Sequence, residues 1–431
     1  MTKKSWLIVI LIIGLGMWVF YRFYLIDIML PYNKEFKDFV IKSATPIENI
    51  DPKNPNYDGF EKIAAAIGDS KVVFLGEQDH GDAPTFLAKT KIIQYLHEKL
   101  GFDVLVFESN FLGLNKSLSY SKKLDFDTSQ DYRDYIFPIW TNCVECSDLF
   151  SYIDLSLSTE NPFYVSGMDP QLNYNGEEPF PIDDIIQKLV EEDIFQNDGE
   201  RKAITKFLQV LIEDNYEAEL SREQIDSLYM FLNRARQELE ATEFLYQAVS
   251  SLKGYALSVL DSTESNNARD IQMGDNFLWL KDNVFADKKI IVWASSSHLF
   301  KGYRELPYAL TETDSINTGT LIADEIEDEL YILGFTSNFG TAGRLYSEKY
   351  KVFAPNRNTF EAFVGETGAE YAFVNFKGSN YSTDKYFTFF MKGLIHKTNK
   401  FNWTRMFDGV FYIEEMYPCS DVLNIDKFST E

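Results

Sequence analysis

The stretch Lys71-Val-Val-Phe-Leu-Gly-Glu-Gln-Asp-His-Gly81 decides how the rest of the chain is read. Val72 to Leu75 is a short, unbroken apolar run, the pattern of a strand in a parallel sheet covered on both faces. Gly76 is read as the turn that ends it, and Glu77 and His80, two proton-handling side chains, follow at once. Ala83 to Leu100 carries apolar residues at helical spacing and stops at Gly101, a natural C-terminal cap. Asp103 to Glu108 is a second buried strand, so the unit is a parallel strand–helix–strand crossover. A short helix, Phe60 to Ile67, leads into it.

The same pattern returns further along. Phe163 to Asp169 and Lys289 to Ala294 read as strands, the latter followed by Ser295-Ser-Ser-His298. Further strands are expected at Glu329 to Phe335 and Tyr371 to Phe376, with a closing pair near Trp403 to Ile413. From Pro181 to Leu280 the sequence is amphipathic helix without a turn-rich linker. The expected fold is α/β, with a mostly parallel central sheet, flanking helices and a large helical insertion, preceded by one N-terminal transmembrane helix. The expected divisions are a membrane anchor over residues 1–30, a spacer over 31–57 with four prolines, and an α/β domain over 58–431. Within that domain, residues 171–280 form the insertion or cap.

The chain of 431 residues carries a formal net charge of −25, without a Lys/Arg-rich run. That charge repels phosphate backbones and disfavours a nucleic-acid partner. Lys3 and Lys4 precede an apolar run from Trp6 to Tyr21, flanked by Trp18, Tyr21, Arg22 and Tyr24, and apolar and aromatic residues continue to Leu30. This reads as an uncleaved signal anchor rather than a cleaved signal peptide, because no small-residue cleavage site follows the run. The expected placement is therefore a single-pass membrane protein, N-terminus inside and catalytic domain on the extracytoplasmic side. Of the three cysteines, Cys143 and Cys146 form a lone C-x-x-C, read as a local disulfide or two free thiols, and Cys419 has no evident partner.

Four expected strands deliver ionisable residues just past their carboxyl ends: Glu77 with His80, then Glu108, Asp169 and His298. In an open parallel sheet those ends lie along one edge, where ligands bind. Asp169 is read as a helix cap. The chain has only four histidines; His97 and His396 are read as surface residues, leaving His80 and His298 as functional candidates. No G-x-S-x-G, G-x-G-x-x-G, Walker or H-E-x-x-H motif is present, which disfavours covalent serine catalysis. A histidine held by a carboxylate activates water. The alternative for Glu77, His80, Glu108 and His298 is a shared divalent metal, and a third reading is a non-catalytic binding protein.

Five segments in order, Leu75-Gly-Glu-Gln-Asp-His-Gly81, Leu100-Gly-Phe with Phe107-Glu108, Ser166-Gly-Met-Asp169, Ala268-Arg-Asp-Ile-Gln-Met273 with Asn276 and Trp279, and Val292-Trp-Ala-Ser-Ser-Ser-His298, resemble the erythromycin esterase family. The resemblance implies an α/β protein with a helical insertion that hydrolyses an ester, lactone-type, in a small-molecule substrate without a cofactor or a covalent serine intermediate. It implies His80 as general base, Glu77 and Glu108 as the carboxylates that orient and polarise it, Arg269 as a stabiliser of the oxyanion, and His298 as the second histidine. Ser295 stands where the family commonly has another histidine.

Overall fold

The computed structural model describes residues 3–20, 33–120, 124, 126–176, 182–214, 217–260, 265–306 and 315–422. The strands in chain order are β1 (Thr45–Ile47), β2 (Val72–Leu75), β3 (Phe102–Asn110), β4 (Tyr164–Asp169), β5 (Lys289–Trp293), β6 (Leu330–Ala342), β7 (Tyr350–Val352), β8 (Tyr371–Asn375), β9 (Phe389–Leu394), β10 (Lys397–Phe401) and β11 (Gly409–Met416). One nine-stranded sheet runs β1-β8-β11-β6-β2-β5-β3-β4, with β7 paired to β6; β9 and β10 form a separate hairpin. Pairing is parallel from β11 through β4 and antiparallel at β8, β1 and β7. The central strands lack polar alternation because both faces are covered: Val72 to Leu75 and Ile290 to Trp293 are at most 1% exposed.

The register aligns the strand ends. Leu75 lies opposite Trp293, Trp293 opposite Phe107, and Phe107 opposite Gly167. The residues just beyond that row, Glu77, Ser295, Glu108 and Asp169, therefore emerge along one edge. Gly76 serves close approach rather than a turn, since it is not among the positive-φ glycines. A Cβ there would lie 2.4 Å from Ser296 Oγ and 3.3 Å from Ser296 Cα. The tight packing lets the Ser296 N–H donate to the Glu77 carbonyl at 2.8 Å.

The helix Ala83–Leu100 covers one face, with Pro84 in its first turn and Gly101 at φ 69° as its cap. Five longer helices, from Ile182–Glu191 to Ser265–Asn283, build the helical segment. Its last helix is tied to the sheet by Asn276, whose Nδ2 donates to the Met168 carbonyl at 2.9 Å and whose Oδ1 accepts from Gln247 at 2.7 Å. Trp403–Met406 is a short helix rather than strand, and β11 begins at Gly409.

The N-terminal transmembrane helix is corrected. The apolar run forms a helix, Lys3–Phe20, of 18 residues, and no helix among the described residues is long and apolar enough to cross a membrane. The single-pass anchor, the membrane as partner and the extracytoplasmic placement that depended on it are withdrawn with it. Residues 21–32, onto which the anchor reading extended, lie outside the described residues.

Two further readings change. His97 and His396 are buried rather than on the surface; His97 Nδ1 meets the Tyr152 hydroxyl at 2.6 Å. Cys143 pairs with Cys419 across a separation of 276 residues, and Cys146 is a buried free thiol. Peptide mapping without reductant should join the Cys143 and Cys419 peptides and leave Cys146 open to alkylation only after unfolding. Cys143→Ser should lower stability by about 2–4 kcal/mol in denaturation experiments.

Candidate active site

The loop after β2 carries the first cluster. Glu77 is fully buried, and its Oε1 lies 2.7 Å from His80 Nδ1. The other oxygen accepts from Lys89 Nζ at 2.6 Å, and the Trp140 indole N–H donates to Oε1 at 3.2 Å. A carboxylate only accepts, so in the neutral ring the His80 proton sits on Nδ1 and the lone pair on Nε2. The His80 side chain is 13% exposed, and Trp140 sets its edge against the ring at 5.6 Å. Lys89 comes from the helix Ala83–Leu100 and rests over the Trp293 ring at 3.9 Å. Burial lowers the Lys89 ammonium pKa, and the Glu77 charge works against that fall.

The second cluster sits at the ends of β3, β4 and β5. Arg269, on the helix Ser265–Asn283, forks onto Asp169, with Nη2 at 2.6 Å and Nε at 3.1 Å, and Nη2 also donates to Glu108 at 2.8 Å. Asp169 is thus an ion-pair partner rather than a simple helix cap. The second Glu108 oxygen accepts the Ser295 N–H at 2.8 Å. His298 Nδ1 lies 2.8 Å from Asp270 Oδ1, the same oxygen that accepts the Thr318 N–H and hydroxyl at 3.0 and 2.7 Å. His298 Nε2 faces Glu108 at 3.4 Å and Arg269 Nη1 at 3.3 Å.

These contacts set the protonation of the cluster. Burial alone would raise the Glu108 carboxyl; the charges of His298, Arg269 and His80, with the Ser295 N–H, outweigh it and hold Glu108 far below the usual carboxylate range. Burial would likewise lower the His298 imidazole, but Asp270 and Glu108 push it up to about 8 against the repulsion of Arg269. Since the neighbouring residues Ser295 and Ser296 bind Glu108 and Glu77 respectively, the two clusters adjoin at the sheet edge.

Glu77, His80, Glu108, Arg269 and His298 thus fall into these two adjoining groups. Lys89, Trp140 and Asp270 are neighbours in these clusters that sequence reasoning passed over. Lys89 left a trace there, a lysine on the apolar stripe between Phe86 and Ile92. Asp270 left only its place beside Arg269.

A sequence model described as Erythromycin esterase matches residues 97–416. The chain belongs to the erythromycin esterase family. The "Putative hydrolase YbfO" of Bacillus subtilis is 23% identical over 90% of this chain and 92% of its own. The "Erythromycin esterase type II" of Escherichia coli is 22% identical over 88% and 97%. Among solved structures, a mutant of the erythromycin esterase EreC in its open conformation shares the fold at a TM-score of 0.63 and 15% identity, over 88% of this chain and 98% of that one. The erythromycin esterase match takes in Glu108, Asp169, Arg269, Asp270 and His298 and begins after Glu77 and His80.

The four residues weighed as metal ligands do not fit a shared divalent ion. Both oxygens of Glu77 and of Glu108 are taken by protein donors. The cations Lys89 and Arg269 already balance the two carboxylates. Among the described residues, the one grouping of ligand atoms close enough for an ion is Cys143, Glu145 and Cys419, whose sulfurs are joined to each other. Prolonged chelation should therefore leave the melting temperature and any turnover unchanged; a fall in both that added metal restores would overturn this.

The raised His298 pKa has a definite sign. Above its ordinary value of ~6.5, protonation is linked to folding, so its stabilisation is fully present below pH ~6.5 and is lost as pH rises through about 8. Wild type should exceed His298→Gln in stability by on the order of 1–2 kcal/mol at pH 6, with the gap closing toward pH 9. Asp270→Asn should bring the imidazole titration, followed by NMR, down by at least about one unit.

Proposed function

We propose that the protein hydrolyses an ester, of the lactone type, in a small-molecule substrate, using water activated by His80. The observation that carries this reading is the Glu77–His80 pair: Nδ1–H is engaged by a buried carboxylate that Lys89 and Trp140 hold in place, so Nε2 of a partly exposed ring is the acceptor. Water gives its proton to Nε2, and its oxygen adds to the ester carbonyl carbon. The tetrahedral intermediate then expels the alcohol oxygen, which takes up a proton. His298, charged at neutral pH at its raised pKa, is the donor we assign.

We assign Arg269 an electrostatic part in place of the oxyanion contact that the family resemblance implies. Its Nε and Nη2 are engaged by Asp169 and Glu108, so it serves chiefly to keep Glu108 ionised beside His298 and His80. The helical segment 171–280 is assigned to substrate recognition, because it ends in the helix that carries Arg269 and Asp270. A purely binding role is disfavoured by His80, which is not fully buried and, among the described residues, is paired at one nitrogen only.

Family names support ester cleavage as the reaction class: one relative is an erythromycin esterase. On a panel of lactones and simple esters, His80→Ala should lower kcat by about 10²–10⁴-fold, and Glu77→Gln should lower it with KM little changed. Equal turnover by wild type and His80→Ala would remove His80 from the chemistry.

A further inference from the structure

The hairpin of β9 and β10 turns through two residues only, Ile395 and His396, with φ of 46° and 51°. A two-residue turn with both φ positive is the type I′ turn, which favours Asn-Gly. A β-branched residue is a conformational outlier there, because Cβ crowds the following carbonyl. Ile395 is 50% exposed, so packing does not impose the conformation. Such outliers persist where the surroundings over-determine them.

What determines this turn is the loop that carries His80. The Ile395 N–H donates to the Gln78 carbonyl at 3.2 Å, and the Gln78 side chain returns a bond to the Lys392 carbonyl. His396 Nε2 meets the buried Asp82 Oδ1 at 2.9 Å while its Nδ1 meets Ser337 Oγ at 2.9 Å. The other Asp82 oxygen accepts the Asp79 N–H at 2.9 Å, and Asp79 Oδ1 accepts the His80 N–H at 2.9 Å. Both left-handed residues thus hold the segment Gln78 to Asp82, one through its backbone and one through its ring.

The geometry points to the Ile395–His396 turn as a clamp on the His80 loop, with His396 a positioning residue for His80; it rests on the reading of His80 as the base. In this unfavourable turn the His396 ring and the Ile395 N–H both reach the loop. His396 touches no reacting atom; it acts through Asp82, Asp79 and the His80 backbone.

Two variants separate strain from clamping. Ile395→Gly relieves the strain and keeps the N–H that Gln78 receives. It should raise the melting temperature by about 1–3 °C and leave kcat and the His80 imidazole NMR signals in place. His396→Asn keeps a residue that tolerates the left-handed region but withdraws the ring from Asp82. It should move the His80 signals and lower kcat at least tenfold with KM within twofold. With four histidines in the chain, the signals are assignable through His80→Gln. If His396→Asn lowers the melting temperature yet leaves the His80 signals and kcat unmoved, the turn is structural only and the clamp is wrong. If wild type cleaves no ester, the proposed reaction fails, and the His80 signals together with the two melting temperatures still decide the clamp.

Discussion

Arg269 stands between Glu108 and Asp169, side chains exposed by only 3% and 0%, and the sheet edge is organised around keeping that buried charge paired. A carboxylate withdrawn from water without a partner costs several kcal/mol, so the two acids depend on a cation of fixed geometry. A guanidinium suits the task because its fork reaches both acids at once. It can do so only because the helix Ser265–Asn283 is anchored against β4 through Asn276. The helical segment is therefore bound to the site by charge as well as by packing.

The two histidines occupy contrasting settings built from similar parts. Each has a carboxylate on Nδ1, but His298 Nε2 also faces Glu108 and Arg269, whereas the His80 ring is partly exposed. His298 is surrounded by Asp270 and Glu108, which outweigh one arginine and favour its charged form. The Glu77 beside His80 already shares its charge with Lys89 and receives the Trp140 indole N–H. The two rings thus stand in unlike electrostatic surroundings.

The His80 loop is held from several sides. Cys419 N–H donates to the Gly81 carbonyl at 2.9 Å, and Ala83 N–H to that of Tyr417 at 3.1 Å. The same C-terminal segment is joined by disulfide to Cys143, three residues after the Trp140 that packs on His80. Arg344 and Tyr350 hold Asp79 at 2.9 and 2.8 Å. A loop of irregular backbone reaches the rigidity catalysis needs through such contacts, since no ladder of its own fixes it.

Much of this was written locally. The apolar runs at Val72–Leu75 and Lys289–Trp293, the helices Phe60–Ile67 and Ala83–Leu100, and the placing of Glu77 and His298 past strand ends follow from periodicity and caps, whereas Glu108 lies within β3, which continues to Asn110. The N-terminal run showed the limit of the same reasoning: its apolar composition suggested a span, but no helix among the described residues is long and apolar enough to cross a membrane. The burial of His97 and His396 and the pairing of Cys143 with Cys419 were not legible, because each depends on residues tens to hundreds of positions away. By itself the sequence determined which residue types stand at strand ends, since local propensity and patterning act over a few residues. Only the tertiary structure decided that β5 lies between β2 and β3, and so which base meets which acid, because parallel pairing joins distant segments by contacts that no local pattern encodes.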